Sequence, residues 1–199
     1  PILKRYIRMG KRIFDFLASL FGIIMLSPLF FIISVVIKLD SDGPILFRQQ
    51  RVGRHGAIFH IRKFRTMYQK SESQGQLTIG ADKRVTRSGA FLRKYKLDEL
   101  PQLIDVLVGH MSIVGPRPEV PEFVAYYNKD SAAVISSLRP GITDLASIEM
   151  IDENELLAKY SDPKRAYIDV ILPIKQKYYV DYARKQSFML DMKIVFLTL

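Results

Sequence analysis

Between Phe16 and Ile37 the chain runs for 22 residues without a charge, nearly all of them apolar. As a helix this run would measure roughly 33 Å, enough to cross the hydrocarbon core of a bilayer. Ser27-Pro28 falls near its middle. A proline removes one backbone donor and crowds the carbonyl four residues back, and a neighbouring serine hydroxyl can take up the carbonyl left without a partner. Basic residues stand on both sides, with Lys4, Arg5, Arg8, Lys11 and Arg12 before the run and Lys38, Arg48, Arg51 and Arg54 after it. Cytoplasmic flanks are the basic ones, so a straight crossing would export one of them. A buried core helix, a straight span and a re-entrant hairpin all fit the length. The hairpin alone accounts for both the proline and the two basic flanks. No small-residue cleavage site follows, which argues against a signal peptide. The expectation is a retained anchor at 1–40, turned back at Ser27 and Pro28 with both ends cytoplasmic, and a domain at 41–199 lying on the membrane surface.

The formal charge of +10 is concentrated in the middle of the chain. Residues 43–97 hold thirteen bases against Glu72 and Asp82, while residues 98–199 hold eleven bases against fifteen acids. A block of +11 directly after a membrane segment calls for an anionic partner, such as nucleotide phosphates, lipid headgroups or nucleic acid. The chain has no Cys, which removes disulfides and thiolate metal sites and suits a reducing compartment. His55, His60 and His110 lack metal-ligand spacing.

The coarse pattern is α+β and mainly helical. Strands are expected at Ile45 to Val52 and Ala57 to Met67, joined by a turn at Gly53 to Gly56. Tyr68 to Gly80 reads as a polar mobile loop. Helices are expected at Ser88 to Tyr95, Leu100 to Val108, Pro121 to about Asn128, Asn154 to Tyr160 and Ile174 to Ser187. Gly115-Pro116-Arg117-Pro118 must be extended, because each proline turns the residue before it away from helical backbone. In the last expected helix Ile174, Tyr178 and Tyr182 recur every four residues among Lys and Arg. That pattern fits an amphipathic interfacial helix and equally an ordinary helix packing one aromatic stripe inward. Phe188 to Leu199 stays hydrophobic to its end, as a chain that continues would.

The densest chemistry lies in Arg93-Lys94-Tyr95-Lys96-Leu97-Asp98-Glu99-Leu100-Pro101. Pro101 belongs in a first helical turn, so Asp98 is expected at or beside the N-cap, where free amides favour its anion. An ionised carboxylate there is able to hold Mg²⁺ or attack phosphorus. It is also able simply to cap the helix. Arg117, in a stiff extended Pro-Arg-Pro segment, is preset for a bidentate phosphate contact, and Arg139-Pro140-Gly141 sets a second Arg beside a tight turn.

The ordered motifs Lys63-Phe64-Arg65-Thr66-Met67, Leu97-Asp98-Glu99-Leu100-Pro101-Gln102, Gly115-Pro116-Arg117-Pro118 and Arg139-Pro140-Gly141-Ile142-Thr143 resemble those of the bacterial sugar transferases. These are monotopic phosphoglycosyl transferases that start glycoconjugate assembly on a polyprenol phosphate. The resemblance covers nearly the whole chain, and the short length is similar to that of minimal members. It implies a bacterial inner-membrane enzyme on the cytoplasmic face that uses a UDP-sugar, undecaprenyl phosphate and Mg²⁺. Asp98 would be the nucleophile, with Asp98 or Glu99 on the metal. Arg93, Arg117, Arg139, Lys63 and Arg65 would be the candidates for phosphate oxygens. Asp144 after Thr143 departs from the family's common Gly. The competing expectation is a membrane-tethered module that binds nucleic acid or anionic lipid, in which Asp98 has no special task. The enzyme reading expects membrane lipid and no nucleic acid as partner.

Overall fold

The computed structural model describes residues 2–69, 82–150 and 152–198, so the loop expected at 68–80 lies outside the described residues from 70 onward. The first helix, α1 (Ile2–Asp40), runs through Pro28 without interruption. Proline leaves the Ile24 carbonyl without its usual amide donor, and Ser27 Oγ donates to that carbonyl at 2.8 Å. Helical backbone thus continues through the expected turn at Ser27 and Pro28, with one hydroxyl in place of the lost amide bond.

One face of α1 is turned inward along its length, with Asp15, Ser19, Ile33 and Ile37 buried. The opposite face exposes Ile13, Leu17, Phe21, Ile24, Phe31 and Val35, a stripe at helical period. From Met9 to Asp40 the helix is long and apolar enough to cross a membrane. Both of its ends are nevertheless fastened to the same domain. Near the start, Lys11 Nζ lies 2.6 Å from Asp191, and Arg12 donates to the carbonyls of Val106 and Leu107. At the far end, Asp40 accepts from the Ser88 amide and hydroxyl at 2.9 and 2.7 Å.

The hairpin forms as expected from β1 (Leu46–Val52) and β2 (Ile58–Phe64), antiparallel with Leu46 opposite Phe64 and Val52 opposite Ile58. Phe59 and Ile61 of β2 pack with Val106 and Met111, while Phe64 meets Ile33, Ile37 and Leu92. Next come α2 (Arg87–Lys94), capped by Thr86 Oγ1 accepting from the Gly89 amide, and α3 (Gln102–Val108).

The two proline-bearing motifs, which look independent in sequence, lie side by side. They flank a short parallel pair, β3 (Ser112–Val114) with β4 (Gly141–Thr143). The Gly141 amide donates to Pro116 O at 2.9 Å and the Gly115 amide to Thr143 O at 3.1 Å. A Cβ on Gly141 would fall 2.1 Å from the Gly115 nitrogen, and one on Gly115 would fall 2.4 Å from the Arg139 carbonyl. Only glycine permits this backbone approach, and the approach holds the segment that carries Arg117.

The rest is helical: α4 (Pro121–Val124) and α5 (Lys129–Ser136) between the two strands, then α6 (Leu145–Glu149), α7 (Glu153–Leu157), α8 (Pro163–Ala166), a π-helical turn at Tyr167–Ile171, α9 (Leu172–Lys185) and α10 (Phe188–Thr198). The Ile174, Tyr178, Tyr182 stripe does not face one environment. Ile174 is exposed, whereas Tyr182 is buried and donates to Asp191 Oδ1 at 2.6 Å. A tyrosine hydroxyl inside needs such a partner. The exposed apolar surface at this end belongs instead to α10, through Phe188, Met189, Phe196 and Leu197.

Candidate active site

Asp98 and Glu99 lie in a 3-10 turn, Leu97–Glu99, entered through Lys96 in left-handed backbone at φ 53°. Pro101, not Asp98, precedes the first residue of α3. The expected N-cap is thus corrected: the proline starts the helix and leaves Asp98 in the turn before it. The Asp98 carboxylate has no hydrogen-bond partner among the described residues and is 9% exposed. Burial raises its pKa above the ordinary aspartate value, Lys63 opposes that, Glu99 adds to it, and Arg93 and Arg117 oppose it.

Glu99 is held in the opposite state. Lys63 Nζ, from β2, donates to its Oε1 at 2.7 Å, and Arg117 forks onto both oxygens, with NH1 3.1 Å from Oε2. Burial would raise the Glu99 pKa, but the charges of Arg117 and Lys63 outweigh it and keep the group well below the usual glutamate range. Lys63 is pushed down by burial and supported by Glu99. Two adjacent carboxylates are driven apart in this way, one tied to two cations and one left without a hydrogen bond among the described residues. Divergent environments of this kind mark sites with divided roles.

Arg93, on the last turn of α2, donates from Nε to Thr66 Oγ1 at 2.8 Å and carries its charge toward Asp98. Lys63, Arg93 and Arg117 therefore surround the acid pair. Two residues expected with them lie elsewhere. Arg65 is buried at the end of α1, donating to the carbonyls of Asp42 and Ser41 at 2.7 and 2.6 Å. A helix C-terminus leaves carbonyls without donors and draws a cation. Arg139 is directed at the other end of α3, its Nε donating to Gly109 O at 3.1 Å. Asp144 takes extended backbone at φ −157°, open to any residue, and caps α6 by accepting from the Ser147 amide at 3.0 Å. The chain needs no glycine there.

Behind Glu99 lies a polar interior that residue types alone do not reveal. Arg51 donates to Pro118 O at 2.9 Å, the carbonyl next to Arg117. Tyr167 donates to Glu119 at 2.5 Å, and Lys175 donates to Glu153 at 2.9 Å and lies 3.3 Å from the Tyr167 hydroxyl. For Arg51 the strand offered no signal, since the bases of β1, Arg48 and Arg51, stand three residues apart and so on opposite faces. For Glu119 and Tyr167, 48 residues apart in sequence, no local pattern existed.

The donor set also bears on Mg²⁺. Among the described residues no three His, Cys, Asp or Glu side chains cluster for a metal. Mg²⁺ asks less, commonly one or two carboxylates with substrate phosphates and water. Asp98 meets that requirement with its oxygens not hydrogen-bonded to any described residue, whereas both Glu99 oxygens are occupied by cations.

The description "Bacterial sugar transferase" belongs to the family model that matches residues 6–199. The undecaprenyl-phosphate glucose phosphotransferase of Komagataeibacter xylinus is 36% identical over 99% of this chain and 36% of its own length. The UDP-N-acetylgalactosamine-undecaprenyl-phosphate N-acetylgalactosaminephosphotransferase of Aeromonas hydrophila is 39% identical over 95% of this chain and 42% of its own. The sugar transferase EpsL of Bacillus subtilis (strain 168) is 37% identical over 94% of this chain and 84% of its own. The chain thus spans about two fifths of the first two relatives and most of the third.

Proposed function

This chain belongs to the bacterial sugar transferase family, and on that premise we propose that it moves a phosphosugar from a UDP-sugar to undecaprenyl phosphate, with release of UMP. The observation that carries the reading is Asp98: a nearly buried carboxylate with no hydrogen bond among the described residues, beside three cations. An Asp98 oxygen attacks the β-phosphorus, the bond from that phosphorus to the bridging oxygen breaks, and UMP leaves with the electron pair. The phosphosugar then rests on Asp98 as an acyl phosphate. A phosphate oxygen of the polyprenol attacks the same phosphorus and returns the carboxylate. Two turns at one site keep two anionic substrates from having to meet there.

Arg93 and Arg117 bind and orient phosphate oxygens, and Lys63 adds positive potential while holding Glu99. Mg²⁺, carried by Asp98 and the diphosphate, would neutralise charge on the leaving group. The test is UMP release by the purified chain, with Mg²⁺ and undecaprenyl phosphate, across a panel of UDP-sugars. The panel would include the glucose and N-acetylgalactosamine donors named for the relatives and the N,N′-diacetylbacillosamine donor of a minimal family member. Release with at least one donor, abolished by chelation, is expected; no release with any donor would overturn the reading.

The anchor follows from the same reading. With both ends of α1 fastened to one domain, the helix dips into the bilayer from a single face, bends at the Ser27-Pro28 step and returns both ends to that face. Its exposed apolar stripe meets lipid, and the Asp98 site stays at headgroup level. Single cysteines placed at Lys38 and at Gly10 are expected to react with an impermeant thiol reagent only in inverted vesicles. Labelling of the two from opposite sides would restore a straight span.

A further inference from the structure

At the end of α3 remote from Asp98, a cleft of about 40 Å³ is lined by Arg12, Arg54 and Arg139 together with Lys11 and Asp15. Eight residues of chain, roughly 12 Å if helical, separate Asp98 from Val106. We infer that these three arginines form a second anion site, which takes the phosphate of an anionic lipid headgroup.

Each guanidinium is held in place by backbone carbonyls. Arg12 donates to Val106 O and Leu107 O at 2.6 and 2.8 Å, Arg139 Nε to Gly109 O at 3.1 Å, and Arg54 Nε to Ser137 O at 3.0 Å. The terminal nitrogens of Arg54 and Arg139 then have no hydrogen bond or ion pair to other described residues. The charges do not balance. Lys11 is taken by Asp191 at 2.6 Å, and Asp15, which accepts from the Ile113 amide at 3.1 Å, is among the described residues the single acid that lines the cleft with three arginines. The Arg139 charge is disfavoured by burial and further by Arg54 and Arg12. A bound anion removes that repulsion and takes planar, forked donors.

Size and surroundings choose among anions. A volume near 40 Å³ has room for about three waters, so for a phosphate group and not for a nucleotide. The two helices that meet beside Lys11 and Gln186 carry exposed apolar side chains, Met9 and Ile13 on α1 and Phe188 and Met189 on α10. The Phe14 and Phe188 rings meet edge-on at 5.5 Å and bring the two helices together. A phosphate in the cleft would leave its acyl chains along that surface, which a free phosphate cannot use.

Calorimetric titration of the full chain in non-ionic detergent would test this. Dihexanoyl-phosphatidylglycerol is expected to bind saturably and more tightly than inorganic phosphate or dihexanoyl-phosphatidylcholine. Arg54→Gln and Arg139→Gln are each expected to weaken it about tenfold, the loss of one charge-assisted contact. Arg165→Gln, on an exposed helix elsewhere, is expected to have no effect. Arg54→Lys keeps the charge and should keep most of the binding, which preserves the test if a Gln variant does not fold. Inorganic phosphate binding as tightly as the lipid would support the site while assigning it to a soluble anion. Binding that does not saturate, or that is the same in the Arg54 and Arg139 variants as in the parent, would overturn it. UMP release by Arg54→Gln at saturating substrates is expected to be unchanged, and its loss would overturn the separation of this cleft from the Asp98 site.

Discussion

Asp98→Asn is expected to abolish UMP release and, at the same time, to raise the midpoint of thermal unfolding at neutral pH. The first half follows from chemistry: an amide is a poor nucleophile, and loss of a covalent step of this type costs on the order of 10⁴-fold or more in turnover. The second half follows from the environment. Burial raises the Asp98 pKa in spite of Lys63 and the arginines, so the folded state favours the protonated acid. Such a group contributes stability that is complete below its unfolded value and is lost as pH rises through its folded one. At neutral pH the ionised Asp98 is therefore a cost, and the neutral isostere removes it. Sites built for reaction commonly carry this trade-off. The gain should vanish in acid, where both residues are uncharged, and in wild type the rate should fall on the acid side through the raised pKa. Measurement of midpoints for both proteins without nucleotide from pH 4 to 8 tests the pairing. An inactive variant that is less stable at every pH would show that Asp98 holds the fold together, and near-normal turnover would remove the covalent step.

What sequence reveals of this molecule divides along range. The anchor, the hairpin and the Asp98-Glu99 pair were legible because each is written in adjacent residues: an uncharged run, alternation about a Gly-rich turn, acids before a proline. Arg93 and Arg117 were legible because their neighbours restrict them, one on a short helix beside the acids and one between two prolines. Arg65 and Arg139 were not. A basic residue in a motif announces charge but not which carbonyl will hold it, and here helix ends claim both. The pairing of Gly115 with Gly141 was hidden for a related reason, since a parallel pair depends on a crossover that leaves no local pattern. Of the two readings left open for the tyrosine stripe of α9, Tyr182 follows the inward one because it found Asp191 inside, and exposed apolar side chains lie on α10. The second helix between the strands, α5, was missed because its Lys-Asp-Ser start reads as loop, although Asn128 caps it by accepting from the Asp130 amide at 3.0 Å. The π-helical turn at Tyr167–Ile171 has no signature of spacing at all.

Glu99→Gln is expected to cost about 2–4 kcal/mol of stability and about 10²-fold in turnover, with part of the stability loss recovered when Arg117→Met is added. Glu99 is 15% exposed in its side chain, Lys63 18% and Arg117 32%. Breaking a fully buried pair leaves an uncompensated charge worth about 3–5 kcal/mol, and the partial exposure of Arg117 lowers that figure. Removing Arg117 as well takes away one of the two stranded charges and leaves Lys63, so the two substitutions should be non-additive. The pH dependence has the opposite sign to that of Asp98. The Glu99 pKa is lowered, so its stabilisation is complete above the unfolded value of 4.5 and is lost as pH falls through the lower folded one. The gap in midpoint between wild type and Glu99→Gln should be widest near neutrality and should close in acid. Turnover separates positioning from phosphate contact. If Glu99 acts by aiming Arg117, Glu99→Gln lowers kcat through a misplaced guanidinium, and Arg117→Lys, which keeps the charge and loses the fork, lowers it similarly. Additive single effects, or full activity in Arg117→Lys, would show that the fork onto Glu99 is not what sets the geometry beside Asp98.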